Sequence, residues 1–454
     1  MKLPLPFLES LQDVEGFDKD AFVRVHESGE QITSVRLNPN KNSTPGFPLT
    51  NTIPWSSQGY YLPERPLFIF DPLLHAGAYY VQEASGMFLE QAFKQTNDLS
   101  QPLHVLDLCA APGGKSTLLQ SLISADSLLV SNEVIKSRSS ILEENLTKWG
   151  GANVIVTNND PQDFAKLENF FDVIVIDAPC SGSGLFRRDP EAIGEWSEQH
   201  VQLCCQRQHR ILADVYPALK QDGVLIYSTC SYSKEEDEEV LDWICDEFDM
   251  APLSLQVDPG WKIVAVQSDK HKAPGYRFFP DKIKGEGFFI ACLRKNDGGA
   301  TSLRPPKKSI LQKLSKNETA VVEPWLRPGS GMQLWKQGDR ILAFPASLEA
   351  SLLAVVEKLY VRSAGISIGK IAGSSLVPDH ALAVSIIIGN EIVTIPLKRP
   401  EALQYLRKEE VSVESGHRGW ALVQFEGIGL GWVKILPNRL NNYYPAAWRI
   451  LKTH

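Results

Sequence analysis

The sequence has no long apolar run and no cysteine pair at metal-binding spacing. A membrane-spanning helix needs roughly 18 consecutive apolar residues, and no run of that length is present. The first residues include Pro4, Pro6 and Glu9, where a secretory signal peptide would have an uninterrupted apolar segment. The seven cysteines form no C-x-x-C motif and no cluster with histidine at zinc spacing. We therefore expect a cytoplasmic protein with reduced thiols, without a membrane segment, a disulfide framework or a bound metal.

A general excess of basic residues is also missing, because the 454 residues carry a net charge of -8. The charge is unevenly distributed: residues 301–454 contain 20 Lys and Arg against 12 Asp and Glu, and the rest contains 26 against 42. A basic C-terminal part on an acidic remainder favours a polyanionic partner that is bound mainly through that part. A chance imbalance of surface charge is the alternative. The length predicts two or three domains.

The central part of the chain alternates short apolar runs with amphipathic segments, which is typical of βαβ units and a parallel sheet. The predicted strands cover residues 103–108, 128–132, 153–157, 172–176, 223–228 and 288–293. Apolar residues three or four positions apart predict helices over 137–149, 198–219 and 234–248. We expect an α/β fold with a doubly wound sheet, and such sheets bind ligands beyond the carboxyl ends of their strands.

Changes in composition predict the domain boundaries. Residues 1–75 mix short amphipathic segments with Pro/Asn/Ser-rich stretches, which indicates a small, loop-rich N-terminal domain. Residues 76–295 contain the α/β core, and residues 296–320 form a polar linker with the string Arg304-Pro305-Pro306-Lys307-Lys308. Apolar alternation around 383–395 and 420–435, together with several glycines, predicts a β-rich C-terminal region over 321–454.

A glycine-containing turn follows the first predicted strand and leads into a helix. It contains Cys109-Ala110-Ala111-Pro112-Gly113-Gly114-Lys115. Small residues let the backbone approach a ligand, and a helix N-terminus attracts a carboxylate or phosphate. The Gly114-Lys115-Ser116 string resembles the end of a P-loop, but that motif requires glycine at position 109, where this chain has cysteine. The turn also lacks a G-x-G-x-x-G dinucleotide motif. A purely structural turn is a further alternative.

Two acids follow the next predicted strands in order. Glu133 ends the second strand, where a carboxylate can bind ribose hydroxyls, and Asp160 follows the third, where it can meet an adenine edge. Either acid alone is more often a solvated charge at a strand end. Together with the turn, they favour an adenosyl cofactor.

Cys180 and Cys230 follow the fourth and fifth predicted strands, and Asp177 precedes Cys180. Both thiols should therefore face one cleft at the carboxyl edge of the sheet. The other cysteines are expected to be buried apolar side chains: Cys204, Cys205, Cys245 and Cys292. A thiol pair beside an adenosyl cofactor suits methylation of carbon 5 of cytosine, because thiolate addition at carbon 6 makes carbon 5 nucleophilic. A base must then remove the proton from carbon 5. Spacing alone does not decide which cysteine attacks.

Several basic side chains lie near the predicted strand ends and are candidates for phosphate contacts: Lys136, Arg138, Arg187, Arg188 and Lys262. A target base must be splayed out of its stack to reach a buried pocket, so contacts to the flanking backbone are needed. As single residues, such side chains are more often solvated surface charges.

Three strings resemble motifs of the Nol/Nop/Sun family of RNA 5-methylcytosine methyltransferases: DLCAAPGGKS at 107–116, DAPCSGSG at 177–184 and YSTCSYSKEEDEEV at 227–240. The resemblance implies a Rossmann-like class I methyltransferase core that binds S-adenosylmethionine through residues 109–115 with Glu133, Asp160 and Asp177. It also implies that Cys230 is the nucleophile and that Cys180 assists product release. The Glu-Asn-Glu motif of the family corresponds here to Glu236-Asp237-Glu238.

Two C-terminal strings resemble a PUA-like RNA-binding tail found in one branch of this family: GWALV at 419–423 and LNNYYP at 440–445. That branch methylates a cytosine of small-subunit ribosomal RNA. The resemblance thus implies an RNA-binding N-terminal domain, a PUA-like C-terminal domain, and 16S ribosomal RNA or the small ribosomal subunit as partner. The same chemistry on transfer RNA, and a non-catalytic RNA-binding factor for ribosome assembly, are the alternatives.

Overall fold

The computed structural model describes residues 3–299, 309–411 and 416–452. These residues form four β-sheets with helices packed between and around them. Residues 300–308, which contain the basic string of the predicted linker, lie outside the described residues. In the described part of the chain, no helix has both the length and the apolarity to cross a membrane. The same residues contain no group of three His, Cys, Asp or Glu side chains arranged to hold a metal ion.

The N-terminal part is a four-stranded antiparallel sheet with three helices. Its helices are α1 (Leu5–Ser10), α2 (Lys19–Glu27) and α3 (Pro72–His75). Its strands are β1 (Thr33–Leu37), β2 (Asn51–Thr52), β3 (Gly59–Leu62) and β4 (Tyr79–Val81), in the spatial order β2-β3-β1-β4.

Buried Arg36 on β1 joins this sheet to the helix that follows the glycine turn. Its guanidinium donates to the carbonyl of Gly114 at 3.2 Å and to Thr117 Oγ1 at 2.6 Å. It also lies 4.7 Å from the ring centroid of Trp149. Burial lowers the pKa of Arg36 to about 9. The N-terminal sheet thus helps to position the glycine turn.

The central sheet is mixed and has ten strands. Nine of them are β5 (His104–Asp107), β6 (Leu128–Asn132), β7 (Val154–Thr157), β8 (Phe171–Asp177), β9 (Leu219–Thr229), β10 (Met250–Leu253), β11 (Val264–Gln267), β12 (Pro274–Phe278) and β13 (Phe288–Lys295). The order β7-β6-β5-β8-β9 is parallel, and antiparallel β13 continues the sheet from β9. The remaining strand comes from the C-terminal region.

Helices cover both faces of this sheet, as expected for a doubly wound fold. They are α4 (Leu89–Thr96), α5 (Gly114–Leu122), α6 (Lys136–Trp149), α8 (Glu198–Val215) and α9 (Glu238–Glu247). The short helix α7 (Ala192–Glu195) packs instead on the cluster around α1 and α2. Successive strand residues face opposite cores: Val105 packs in one cluster, and Leu106 packs in the other. The predicted fold class is confirmed. Helix α8 ends before the predicted position 219 because Pro217 cannot continue a helix.

The C-terminal region contributes two further sheets and the last strand of the central one. Its strands are β14 (Gln312–Lys313), β15 (Met332–Gln337), β16 (Arg340–Pro345), β17 (Val361–Ala364), β18 (Ile366–Ala372), β19 (Ser375–Pro378), β20 (Thr394–Pro396), β21 (Gly419–Phe425), β22 (Ile428–Leu436) and β23 (Arg439–Asn442). Its helices are α10 (Lys316–Val322), α11 (Glu349–Lys358), α12 (His380–Ala383) and α13 (Arg399–Leu406). The sheet orders are β14-β15-β16-β18-β19 and β20-β21-β22-β23, and β17 pairs with β7.

The predicted β-structure around 420–435 is confirmed by β21 and β22, but the prediction around 383–395 is wrong for most of its length. Only β20 falls in that stretch. The apolar residues before it are used as a packed loop: buried Ile387 joins a core cluster, and the backbone N–H of Ile386 donates to the carbonyl of Gly150. The alternation of apolar and polar residues in this segment therefore indicates burial, although most of the segment is not paired with another strand.

Candidate active site

The glycine turn lies between β5 and α5 and lines a cavity of about 1000 Å³. Gly113 has a φ of 115°, which favours glycine, and α5 begins at the next residue. Buried Asp107 at the end of β5 accepts a hydrogen bond from Ser116 Oγ at 2.6 Å, which fixes the first turn of α5 against the strand. Burial raises the pKa of Asp107 to about 7.

Most residues of the predicted cofactor turn reach the cavity wall. They are Cys109, Ala110, Ala111, Pro112, Gly114 and Lys115. Burial raises the pKa of the Cys109 thiol, so this side chain stays neutral and contributes packing rather than a charge. The turn therefore offers small side chains and backbone to a ligand.

The two predicted nucleoside-binding acids have different surroundings. Glu133, at the end of β6, lines the cavity, and its Oε1 accepts a hydrogen bond from the backbone N–H of Ile135 at 2.8 Å. Asp160 lies outside the lining, where Pro161 forms the wall, and its Oδ2 is 3.4 Å from a guanidinium nitrogen of Arg210. The structure thus brings Glu133 to the turn and leaves Asp160 beside the cavity.

Asp177 ends β8 and holds Lys115 inside the cavity. Its Oδ2 is 2.7 Å from Lys115 Nζ, and its Oδ1 accepts a hydrogen bond from Ser228 Oγ at 3.0 Å. Burial is the largest single influence and lowers the pKa of Lys115, but the charge and the hydrogen bond of Asp177, together with the charge of Asp107, outweigh it and raise that pKa. Cys230 also contributes to that rise through its charge. A persistent ammonium therefore stands close to Cys230.

Cys180 and Cys230 meet in the same cavity. Their sulfur atoms are 3.1 Å apart, although the residues are 50 positions apart in the chain. The hydrogen bond with Cys230 and burial raise the pKa of Cys180 well above its ordinary value. Cys180 thus keeps its proton, and both sulfur atoms share the cavity with the ammonium of Lys115. Two adjacent thiols, an ammonium and a fixed carboxylate suit nucleophilic addition followed by proton transfer.

The five predicted phosphate-binding residues have four kinds of surroundings. Arg187 is buried: it donates to the carbonyls of Gly285 at 3.2 Å and Glu30 at 2.6 Å, so its expected role as an exposed charge is wrong. Arg138 and Arg188 line the cavity. Lys136 is exposed at the start of α6.

Lys262 lies in a second cavity of about 470 Å³ between the N-terminal sheet and the central sheet. We call this cavity the lysine groove, since Lys262, Lys282 and Lys284 line it beside Trp261. Lys282 pairs with Asp281 at 2.8 Å. Among the described residues, no ion-pair partner is present for Lys262 or Lys284.

Two acids of the main cavity were missed by sequence reasoning. The Glu83 carboxylate accepts backbone hydrogen bonds from Ser85, Gly86 and Glu286 at 2.8–3.0 Å. Glu286 lines the cavity, its Oε2 has no hydrogen-bond partner, and burial raises its pKa to about 7. Neither acid stands at a parallel strand end, so no strand-end pattern could have found them.

Comparisons with known proteins place this site in a family. Models of three families match: "16S rRNA methyltransferase RsmB/F" over residues 95–294, "Methyltransferase RsmF PUA domain" over 393–450 and "N-terminal domain of 16S rRNA methyltransferase RsmF" over 3–84. A relative named ribosomal RNA small subunit methyltransferase F from Vibrio vulnificus strain YJ016 is 28% identical, covering 98% of this chain and 97% of its own length.

A relative of the same name from Pectobacterium atrosepticum is 30% identical and covers 77% of this chain and 76% of its own length. Among solved structures, a methyltransferase homolog protein from Pyrococcus horikoshii is 27% identical with a TM-score of 0.51. It covers 64% of this chain and 100% of its own.

The mixed sheet, the cavity at its carboxyl edge and the central family model define an RNA methyltransferase. Within that class, the chain belongs to the family of ribosomal RNA small subunit methyltransferase F. The family recognised from the sequence motifs and the PUA domain at the C-terminus are both confirmed.

Proposed function

We propose that this protein is a cytoplasmic, S-adenosylmethionine-dependent cytosine-C5 methyltransferase of 16S ribosomal RNA that works through a covalent Cys230–cytosine adduct. The observation that carries the proposal is the 3.1 Å contact between the Cys180 and Cys230 sulfur atoms in the cavity that the glycine turn also lines. A thiol pair has no role in simple methylation of an oxygen or nitrogen, but carbon 5 of cytosine needs covalent activation.

The cavity fits the cofactor in size and in the chemistry of its wall. About 1000 Å³ exceeds what a nucleoside-sized ligand needs. In this proposal residues 109–115 hold the cofactor, Glu133 binds the ribose hydroxyls, and Asp177 binds its amino group, with Asp160 meeting the adenine edge. When bound, S-adenosylmethionine supplies an electrophilic methyl group and is converted to S-adenosylhomocysteine.

Cys230 makes carbon 5 nucleophilic. Its thiolate adds to carbon 6 of the cytosine, and the electron pair of the C5–C6 double bond becomes available at carbon 5, which takes the methyl group. The ammonium of Lys115 stabilises the attacking thiolate. Asp177 holds that ammonium at 2.7 Å, and in this proposal its carboxylate also hydrogen-bonds the base.

Cys180 assists release of the product. Once Cys230 is bonded to the ring, it no longer carries the charge and the hydrogen bond that raise the pKa of Cys180. Cys180 can then pass its own proton to water and accept the proton from carbon 5. The electron pair of that C–H bond re-forms the C5–C6 double bond and expels the Cys230 thiolate.

RNA contacts in this proposal come from several surfaces. The target base enters the cavity past Arg138 and Arg188, and the lysine groove binds a flanking part of the strand. The PUA domain supplies further RNA binding. The domain boundaries at residues 75, 295 and 320 are also part of the proposal. Transfer RNA stays the second candidate substrate, because a PUA domain binds structured RNA in general.

The proposal is tested by transfer of labelled methyl from S-adenosylmethionine to total RNA from cells that lack this gene. Nucleoside analysis of separated 16S, 23S and transfer RNA follows. Label as 5-methylcytidine in 16S RNA is the expected result. Label in transfer RNA would show that transfer RNA is the substrate instead. Absence of label from RNA and from small ribosomal subunits would favour a non-catalytic assembly factor.

A further inference from the structure

A buried carboxylate of the Glu236-Asp237-Glu238 string, to which the motif resemblance gave no role in the reaction, joins the two cysteine loops. Glu236 lies in the turn between β9 and α9 and is fully buried. Its Oε1 accepts a hydrogen bond from the backbone N–H of Ser181 at 2.8 Å. Its Oε2 accepts hydrogen bonds from Ser181 Oγ and Ser231 Oγ, both at 2.6 Å. Each of these serines directly follows a cysteine of the thiol pair.

Glu236 therefore holds both cysteine loops at one point. The serine hydroxyls are themselves 3.3 Å apart, and Gln208 Nε2 on α8 donates to Glu236 Oε1 at 3.3 Å. A shift of the carboxylate would move residue 181 against residue 231, and with them the sulfur atoms one residue earlier. Cys180 and Cys230 come from different strand ends. Glu236 links their loops beside two direct hydrogen bonds, from the backbone N–H of Gly184 to the Cys230 carbonyl at 2.8 Å and from the backbone N–H of Tyr232 to Ser183 Oγ at 3.0 Å.

The charge of Glu236 also acts on the thiols. Its direct contacts contain no cation, and its carboxylate is one of the groups that raise the pKa of Cys180. The charge of Glu236 also raises the pKa of four other groups: Cys204, Cys205, Tyr227 and Asp237. Burial raises the pKa of Cys204 and Cys205 to about 11 and that of Tyr227 further, so these three groups stay neutral near pH 7. The cations of this region act on neighbouring groups: Arg207 on α8 acts on Cys204, Lys115 on α5 acts on Cys230, and Arg277 on β12 pairs with Asp237 at 3.0 Å.

We propose that Glu236 is a positioning residue, which aligns the Cys180 and Cys230 thiols through Ser181 and Ser231 and keeps the proton of the pair on Cys180. The inference rests on the proposed function, because it concerns the same two thiols. A purely structural role would make Glu236 important for stability alone. A positioning role predicts changes in the pH profile and in adduct formation by protein that is folded.

The experiment uses the full chain with two substitutions and a control. Glu236→Gln keeps the shape and most hydrogen bonds but removes the charge, whereas Glu236→Ala removes the hydrogen bonds to both cysteine loops. Glu235→Gln removes a neighbouring charge that does not contact the serines and is the matched control. For each variant, folding is checked by thermal unfolding and S-adenosylhomocysteine binding. The rate of methyl transfer to the RNA that the wild type methylates is then measured from pH 5.5 to 9.

Glu236→Ala is expected to bind S-adenosylhomocysteine and to lose about 100-fold in kcat with little change in KM for RNA, since misplaced reacting groups cost about that much. Glu236→Gln is expected to keep most of its activity and to move the limb of the profile that rises with pH downward by about one unit. Glu235→Gln should match the wild type.

Two results would overturn the inference. One is a Glu236→Gln profile that coincides with the wild-type profile, and the other is a folded Glu236→Ala variant with wild-type kcat. Both require an active wild type as reference, so they differ from failure of the proposed function, in which the wild type itself transfers no methyl group to any RNA.

Discussion

At the scale of single residues, the two thiols of the pair differ in their surroundings. Cys230 lies near the ammonium of Lys115, whereas Cys180 is hydrogen-bonded to Cys230 and has a raised pKa. Two thiols at 3.1 Å do not both ionise readily, because the second negative charge is disfavoured by the first. The pair is therefore suited to hold one thiolate and one proton.

We predict that Cys230→Ala lowers methyl transfer at least about 1000-fold, since removal of a nucleophile costs that much or more. Binding of S-adenosylhomocysteine, measured by calorimetry, should stay close to that of the wild type, because the turn at 109–115 is untouched. Cys245→Ala, at a partly buried cysteine outside the cavity, is the control. Substantial turnover by Cys230→Ala would assign nucleophilic attack elsewhere.

Glu286 gives a prediction on pH and stability. Its pKa in the folded protein is about 7 because of burial, above the value of about 4.3 in an unfolded chain. The folded state thus binds this proton more tightly, and the stabilisation is complete below pH 4 and is lost as the pH rises toward 7. Relative to Glu286→Gln, the wild type should lose about 3 kcal/mol of unfolding free energy over that range.

Chemical unfolding at several pH values measures this difference. Glu64→Gln at an exposed acid serves as the control and should follow the wild type at every pH. Parallel pH dependences of the wild type and Glu286→Gln would mean that Glu286 ionises normally in the folded protein.

Residues of the site differ in how far the sequence predicted them. Glu133, Asp177 and both cysteines follow apolar strands directly, so the topology of a parallel sheet brings them together. Glu236 and Glu286 reach the cavity region through turns and an antiparallel strand. Their burial depends on packing between distant segments, which no local pattern contains.

At the scale of elements, β17 links the C-terminal region to the catalytic sheet. It pairs antiparallel with β7 and covers what would be an open edge of the sheet. Asn159 fixes its start: Asn159 Nδ2 donates to the carbonyl of Tyr360 at 3.0 Å, and the backbone N–H of Tyr360 donates to Asn159 Oδ1 at 2.9 Å. Arg362 on β17 adds an ion pair with Glu143 on α6 at 2.8 Å.

We predict that Asn159→Ala destabilises the protein by about 1 kcal/mol, because the backbone N–H of Tyr360 loses its partner, while its carbonyl keeps the N–H of Asn158 at 3.3 Å. Equilibrium unfolding in urea is the measurement. Asn317→Ala, at an exposed position on α10, controls for loss of an amide and should change stability little. Equal stability of the two variants would contradict the role of Asn159 in docking β17.

The sequence predicted the parallel strands well and did not predict β17. The parallel strands are apolar runs buried on both faces, and this pattern is local. In contrast, Val361–Ala364 is a short, half-buried segment whose partner lies some 200 positions earlier. Deletion of residues 310–454 would remove β17 as well as the PUA domain, so such a truncation tests the sheet together with RNA binding.

At the scale of the whole molecule, the basic C-terminal region and the lysine groove lie on an acidic chain. Segment 282–288 connects the groove to the reaction cavity, since Lys284 lines the first and Phe288 lines the second. In the proposed function, a strand that places one base in the cavity brings neighbouring phosphates to the groove. Such an arrangement would let a protein with a net charge of -8 bind a polyanion locally.

We predict that the double substitution Lys262→Ala/Lys284→Ala weakens RNA binding. The slope of log affinity against log salt should fall by about 1.4 for single-stranded contacts, or about 0.7 for each lost phosphate contact. Filter binding at several salt concentrations measures it. Lys270→Ala, whose ammonium already pairs with Asp246, should leave the slope unchanged. An unchanged slope in the double variant would show that RNA does not contact the two groove lysines.

The most direct test of the central claim is the covalent intermediate itself. Cys180→Ala is incubated with S-adenosylmethionine and the RNA pool that the wild type methylates, and the protein is then separated under denaturing conditions. We expect a protein–RNA adduct that accumulates in Cys180→Ala and is absent from Cys180→Ala/Cys230→Ala. An adduct of equal yield in the double variant, or no adduct in Cys180→Ala while the wild type methylates that RNA, would contradict the mechanism.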